Sequence, residues 1–285
     1  MQNTKQYLLL VSLLVLATGC EKVANNVDLP EFRQKLVLGC FMTPSDTVTY
    51  IKISSNWPVY GDTQTDLPVG NLSGSISDGK EEIPLDTFEY GLKFDHRKMP
   101  VEYGGTYHIR IQSDLGMTAE STCVIPKKQS VTIEADTFSV PQNNSWDPFK
   151  RRMDIRISVQ DIPGEENYYM LRAEGRGFSR HYFPNYSPLP LLIEDNLVSD
   201  KNLDGKKFIR DTDTGINYFM DFDSCNVVIY IYMLEKSNYL YLKSLNDYHR
   251  RMGPFSEPTP AYSNVHGGLG VFTSYTVDSA VFRLK

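Results

Sequence analysis

The sequence is short of the features that mark most enzymes and membrane-spanning proteins. Its longest apolar run, Tyr7 to Leu16, has ten residues, whereas a helix needs about 20 to cross the hydrocarbon of a bilayer. It has no HExxH pair, no GxSxG elbow, and neither the GxGxxG nor the Walker glycine pattern through which backbone amides hold phosphate. Five histidines (His96, His108, His181, His249 and His266) stand without a cysteine or carboxylate at metal-ligand spacing. These absences argue against metallohydrolase, serine-hydrolase and nucleotide chemistry. Basic charge is scarce too: 29 Lys and Arg face 35 Asp and Glu, and the largest basic cluster is Lys150-Arg151-Arg152. A nucleic-acid partner would require clustered cations on a larger scale.

Cysteine is limited to Cys20, Cys40, Cys123 and Cys225, in no zinc pattern. Without Cys20 the number is odd, so at least one thiol stays unpaired wherever disulfides form. Cys40 and Cys123 either pair or remain buried thiols, and 83 residues of separation decide nothing about their geometry.

What the chain does have begins at its first residues. MQNTKQYLLLVSLLVLATGC places Lys5 before the apolar run and the small residues Ala17, Thr18 and Gly19 before Cys20. That is the layout of a cleaved secretory signal over 1–19. The small residues end at a cysteine, as in a lipobox, so Cys20 is expected to carry lipid, and two or three acyl chains hold a protein on a membrane durably. Removing residues 1–19, which carry one charge, takes the formal net charge from −6 to −7. Residues 20–32 are polar and turn-rich and read as a tether.

From there the hydropathy has period two. Tyr107, Ile109 and Ile111 alternate with His108, Arg110 and Gln112; Thr49, Ile51 and Ile53 repeat the pattern. Turn residues recur at short intervals, and no helical period occurs before about residue 127. The chain therefore predicts an all-β fold of two β-sandwich domains, immunoglobulin- or fibronectin-like, at 33–127 and 128–285. In the second, Met153, Ile155, Ile157 and Val159 form a strand, and the apolar run Val227 to Leu234 predicts a strand covered on both faces. One helix is expected at about 238–251, capped by Ser237 or Asn238, with Leu240, Tyr241, Ser244, Leu245 and Tyr248 on its core face. The segment 172–216 lacks periodicity and reads as an irregular insertion.

Three stretches carry a family resemblance: CEKVANNVDLPE followed by KLVLGCF, the DIPGEENYY turn, and PFSEPTPAYSNVHGGLGVFTSY. Together they resemble the domain-of-unknown-function 4249 family of Bacteroidota lipoproteins. The most specific part is Asn264 to Phe272, with Asn264, Gly267, Gly268, Gly270 and Phe272. The resemblance implies an outer-membrane lipoprotein, often encoded beside a TonB-dependent transporter, and brings no catalytic residues or cofactor. It implies an accessory or binding subunit of such a β-barrel rather than an enzyme. A stand-alone glycan- or peptide-binding lipoprotein, or an adhesin or structural envelope component, are the alternatives. Only Glu21 separates Cys20 from Lys22, whereas surface-exported lipoproteins of that phylum tend to have an acidic run there, so the leaflet stays open.

Two local patterns remain. Asp200, Asn202 and Asp204 followed by Gly205 resemble the opening of a calcium loop, with oxygen ligands at alternate positions. The twelfth position is Asp211 and the eighth is Lys207, so a polar turn closed by Gly205 is the simpler reading. Aromatic residues in loop-like context (Trp57, Trp146, Tyr182, Phe183 and Tyr186) could form a binding surface by stacking, or fill sandwich corners.

Overall fold

Alternating side chains become two cores against one long sheet. The computed structural model describes residues 31–58, 67–141, 151–178, 189–212, 224–250 and 260–284, and Gln34–Lys285 form one unit. The strands are β1 (Leu36–Met42), β2 (Val48–Ser55), β3 (Leu72–Ser77), β4 (Glu82–Pro84), β5 (Asp86–Phe88), β6 (Gly91–Asp95), β7 (Thr106–Ser113), β8 (Thr118–Val124), β9 (Thr132–Pro141) and β10 (Arg151–Gln160). Then come β11 (Tyr168–Phe178), β12 (Leu189–Leu191), β13 (Leu197–Ser199), β14 (Lys207–Asp211), β15 (Ser224–Leu234), the helix α1 (Lys236–Arg250) and β16 (Leu269–Leu284). The fold is an all-β sandwich with one short helix among the described residues.

Nine strands form the long sheet, in the order β12-β11-β15-β16-β1-β2-β6-β5, with β13 also on β11. The sheets β4-β3-β7-β8 and β14-β10-β9 are smaller. In the first core, Leu36, Leu38, Cys40 and Met42 of β1 and Phe94 of β6 pack with Ile76, Tyr107, Ile109, Ile111 and Cys123. In the second, Tyr169, Leu171 and Ala173 of β11 and Val227, Ile229 and Ile231 of β15 pack with Ile155, Ile157, Val159 and Phe208. Along β16, Phe272 belongs to the first core and Phe282 packs on the second. Both are even-numbered, and a strand shows one face every second residue. The two small sheets therefore cover the same face of the long sheet, side by side.

The opposite face carries α1. Its Tyr241 ring meets Phe41 of β1 at 6.0 Å between centroids, and Tyr239 meets Tyr168 of β11 at 4.7 Å. The helix starts at Lys236, two residues before the expected 238, because Ser237 and Asn238 do not cap it. They are buried and hydrogen-bond to Thr273 Oγ1 (3.2 Å) and, through Asn238 Nδ2, to the Ser274 carbonyl (3.1 Å). Of the expected core face, Tyr248 is instead exposed.

The expected break at 127/128 falls between β8 and β9, and each side has its own core. The last strand crosses that break. Leu269–Ser274 pair in parallel with β1, and Tyr275–Leu284 pair antiparallel with β15. The segment 172–216 also departs from expectation, since its described residues continue β11 and then form β12, β13 and β14. Strands of three to five residues are too short to show a period, and β12 and β13 share different stretches of one strand, β11.

In the first sandwich Tyr107, at the start of β7, donates its hydroxyl to the Pro100 carbonyl (3.0 Å) and accepts from the Glu102 amide (2.8 Å). This is the tyrosine corner of immunoglobulin-like domains, in which one phenol holds the crossover against the core. Cys40 and Cys123 are both buried and free, and burial pushes both thiols well above their ordinary value.

Where the two halves meet, Glu235 precedes the helix and points back between β8 and β16. Its carboxylate accepts from the Val124 amide (3.1 Å) and the Thr273 hydroxyl (2.8 Å). Burial raises its pKa above the usual carboxylate value, against the opposing effect of those donors. A carboxyl raised on folding binds more protons in the folded than in the unfolded state, so stability falls as pH rises from the unfolded value toward the folded one. Glu235→Gln should flatten that part of the stability curve. Urea midpoints at a series of pH values from 4 upward measure it, and an unchanged slope would contradict the assignment.

Candidate functional site

The segment Asn264–Phe272 is held by hydrogen bonds and by close backbone packing. Asn264 Oδ1 accepts from the Phe272 amide (3.1 Å) and its Nδ2 donates to the Phe272 carbonyl (2.8 Å), so one side chain does what a paired strand residue would do. Ser121 Oγ donates to the Asn264 carbonyl (2.8 Å), and Glu120 and His266 exchange backbone hydrogen bonds at 2.9 and 2.7 Å. The segment thus lies against β8 before turning into β16 beside β1. The turn demands its glycines: Gly267 has φ +75° and Gly270 φ +95°, and a Cβ on Gly270 would sit 2.0 Å from the Leu38 carbonyl oxygen. A Cβ on Gly268 would likewise sit 2.7 Å from the Leu36 carbonyl oxygen. The signature is architectural: it fixes the crossing strand between both sheets of the first sandwich.

A second constellation joins residues about 40 positions apart. Asp161, in the DIPGEENYY turn after β10, meets Asp200 and Asp204 from the turn between β13 and β14, with one oxygen from each within 4.8 Å of the others. Asp161 and Asp200 are buried, and Asp204 is exposed. Asp161 accepts from the Tyr169 hydroxyl (2.7 Å) and the Gly205 amide (2.7 Å); Asp200 accepts from the Asn167 amide (2.7 Å), and Asp204 from the Gly164 amide (2.7 Å). Burial raises the Asp200 pKa, the Asn167 amide opposes that, and the neighbouring carboxylates Asp161 and Asp204 add to it. Burial and the Asp161 hydrogen bond likewise push the Tyr169 phenol well above its ordinary value.

Of the sequence candidates for calcium, Asp200 and Asp204 lie here and Asn202 is exposed on the turn. Asp211 is not part of the group: it ends β14 and forms a two-pronged ion pair with Arg156, at 2.9 Å for each prong. The flanking elements are strands, as a helix–loop–helix calcium site forbids. Three carboxylates would be the ligands of any cation here, yet each already takes an N–H or O–H donor, and the arrangement ties two turns together as it stands. Asp161 carried no pattern in the sequence, because its partners come from another turn.

Two concave surfaces lie elsewhere on the described residues, both on the first sandwich. One, of about 360 Å³, lies on the outer face of the β4-β3-β7-β8 sheet among His108, Arg110, Glu120, Thr122 and His266. Its side chains form cross-strand pairs, Arg110 Nε to Glu120 at 2.8 Å and His108 Nδ1 with Thr122 Oγ1 at 2.8 Å. The other, of about 600 Å³, is lined by Trp57, Leu67, Val69, Phe88 and Tyr90, and also by Glu89 and Asn71. Trp57 is half exposed. It is therefore the sequence-chosen aromatic that does open on a groove, in company with Phe88 and Tyr90, which the sequence did not single out. Trp146, Tyr182, Phe183, Tyr186 and Cys20 lie outside the described residues.

A family model described as domain of unknown function DUF4249 matches residues 25–280, nearly the whole chain. The protein belongs to the DUF4249 family. A search of curated proteins found no match.

The contacts of the segment 264–272 and of Asp161 set two energetic costs. Gly270→Ala should lower stability by about 3 kcal/mol, combining the strain of a left-handed alanine with collision against β1; a thermal melt that moves by less than a degree would refute this. Asp161→Ala strands the Tyr169 hydroxyl and the Gly205 amide in a buried site and should cost about 3 kcal/mol, against about 1 kcal/mol for Tyr169→Phe. Equal costs in chemical denaturation would show that the backbone half of the tie carries nothing.

Proposed function

We propose that this DUF4249 protein is an outer-membrane lipoprotein, held by acyl chains on Cys20, that serves as a non-catalytic accessory subunit of a TonB-dependent transporter. The observation that carries the lipoprotein half is the leader, in which Lys5, the ten-residue largely apolar run Tyr7 to Leu16 and Ala17-Thr18-Gly19 lead into Cys20. No helix among the described residues is long and apolar enough to cross a membrane, so the lipid is the membrane element this reading requires. The transporter half leans on the family resemblance. The absence of catalytic motifs in the sequence supports a binding role.

In this mechanism the membrane does the concentrating. Acylation confines the protein to two dimensions, which raises its effective concentration near a membrane partner without any new contact. The long sheet, with two small sheets on one face, supplies a rigid body from which turns project, and binding residues commonly ride on such turns.

A stand-alone glycan- or peptide-binding role is the second reading, and the groove beside Trp57 and Tyr90 favours it, since exposed aromatic faces stack on sugars and anchor peptides. Affinity purification of the native protein from gently solubilised outer membranes, with Cys20→Ala as the unanchored control, separates the two. Stoichiometric recovery of a β-barrel transporter with the native form is the expected result. Recovery of the protein alone would end the accessory reading and turn attention to glycan and peptide ligands.

A further inference from the structure

The groove beside Trp57 and the point where the tether joins the fold are the same end of the first sandwich. Gln34 Nε2 donates to the Pro68 carbonyl (2.7 Å), the Lys35 amide donates to Asn56 Oδ1 (2.7 Å), and the Asn56 amide returns to the Lys35 carbonyl (3.2 Å). Trp57 is the next residue, and Leu67 and Pro68 line the groove with it. The Tyr90 carbonyl accepts from the Ile53 amide (3.1 Å), which puts the β5–β6 turn on this rim. The Asp114 amide donates to the Asn71 carbonyl (3.1 Å), which brings the β7–β8 turn there as well. The outcome is a rim with three large apolar side chains turned to solvent: Trp57 is 50% exposed, Leu115 56% and Tyr90 64%.

We propose that this rim is a membrane-docking surface, seated in the headgroup layer of the bilayer that holds the lipid on Cys20, with Trp57 and Tyr90 as its interfacial anchors. The proposal rests on the lipoprotein reading. Tryptophan and tyrosine suit the site because each pairs a broad apolar ring with a polar N–H or O–H, and such side chains collect at the boundary between hydrocarbon and water. The length of chain before the fold also favours a lipid occupant. Residues 20–33 number fourteen, which reach about 50 Å when fully extended and about 20 Å as a flexible coil. The tether therefore keeps the rim within about 50 Å of the surface, and docking is an intramolecular event in which weak contacts suffice. Polar groups at the rim do not oppose seating in a headgroup layer, which is itself polar: Asp114 is engaged by the Asn71 amide (2.8 Å) and side chain (2.6 Å), and Glu89 is exposed.

The test uses the acylated full-length mature protein, purified from membranes and reconstituted into vesicles of phosphatidylcholine and phosphatidylglycerol. Trp57 and Trp146 are the chain's tryptophans, so Trp146→Phe leaves Trp57 as the reporter. In vesicles whose lipids are brominated high on the acyl chain, Trp57 emission should move to shorter wavelength and lose roughly half its intensity relative to unbrominated vesicles. Adding Tyr90→Ser and Leu115→Ser, both exposed positions, should restore most of that intensity. Emission that stays water-like and unquenched while the protein floats with the vesicles would overturn the proposal. So would quenching that the double substitution leaves unchanged, which reports proximity through the tether alone, or shielding from aqueous acrylamide without bromine quenching, which reports contact with protein. Mass spectrometry of Cys20 distinguishes the deeper failure: an unacylated cysteine removes the lipoprotein reading and this inference together.

Discussion

Ladder hydrogen bonds from β16 to two different strands hold the architecture together. From Leu269 to Ser274 its partner is β1, in parallel; from Tyr275 to Leu284 its partner is β15, antiparallel. Everything else can be placed by reference to this strand. The long sheet is continuous because β16 spans it, both small sheets share a face because its even-numbered residues do, and α1 is seated by Thr273 and Ser274 on the other side. The glycines of the family signature exist so that the chain can enter this strand between β1 and β8 without a side chain striking the Leu36 and Leu38 carbonyls.

The local elements were legible because burial writes itself into periodicity. Tyr107, Ile109 and Ile111 became the inner face of β7, and Met153 to Val159 fell within β10. The unbroken run Val227 to Leu234 became a strand with Ile229 and Ile231 in the second core and Val228 and Leu234 buried on the other face. Periodicity reports which face a residue occupies and is silent on which strand lies alongside. That is why the parallel pairing of Leu269 with Val37 and the meeting of Asp161 with Asp200 were not readable. Both are contacts between distant segments whose local patterns look like ordinary turns and strands.

The same limit shaped the reading of candidate sites. An Asp-Asn-Asp spacing suggested an ion, whereas the fold replaced Asn202 with Asp161 and supplied backbone donors to all three carboxylates. Among loop aromatics, the sequence left Trp57 open between a binding surface and a sandwich corner, and the fold leaves it half exposed. Its association with Tyr90 and with the start of β1 depended on strand order. Chemistry that is absent from a sequence as motif can still be present as arrangement, as the meeting of Asp161 with Asp200 and Asp204 shows.

The pairing of β1 with the chain's last strand has a consequence for biogenesis. A polypeptide emerges from its first residue onward, so β1 ends 227 residues, and β8 ends 145 residues, before the strand that completes their sandwich begins. Until then β1 has an unpaired edge, and open edges recruit other strands. Between the emergence of β1 and that of β16 the amino-terminal half is incomplete by its topology, and a chaperone that shields that edge would have a physical task to perform.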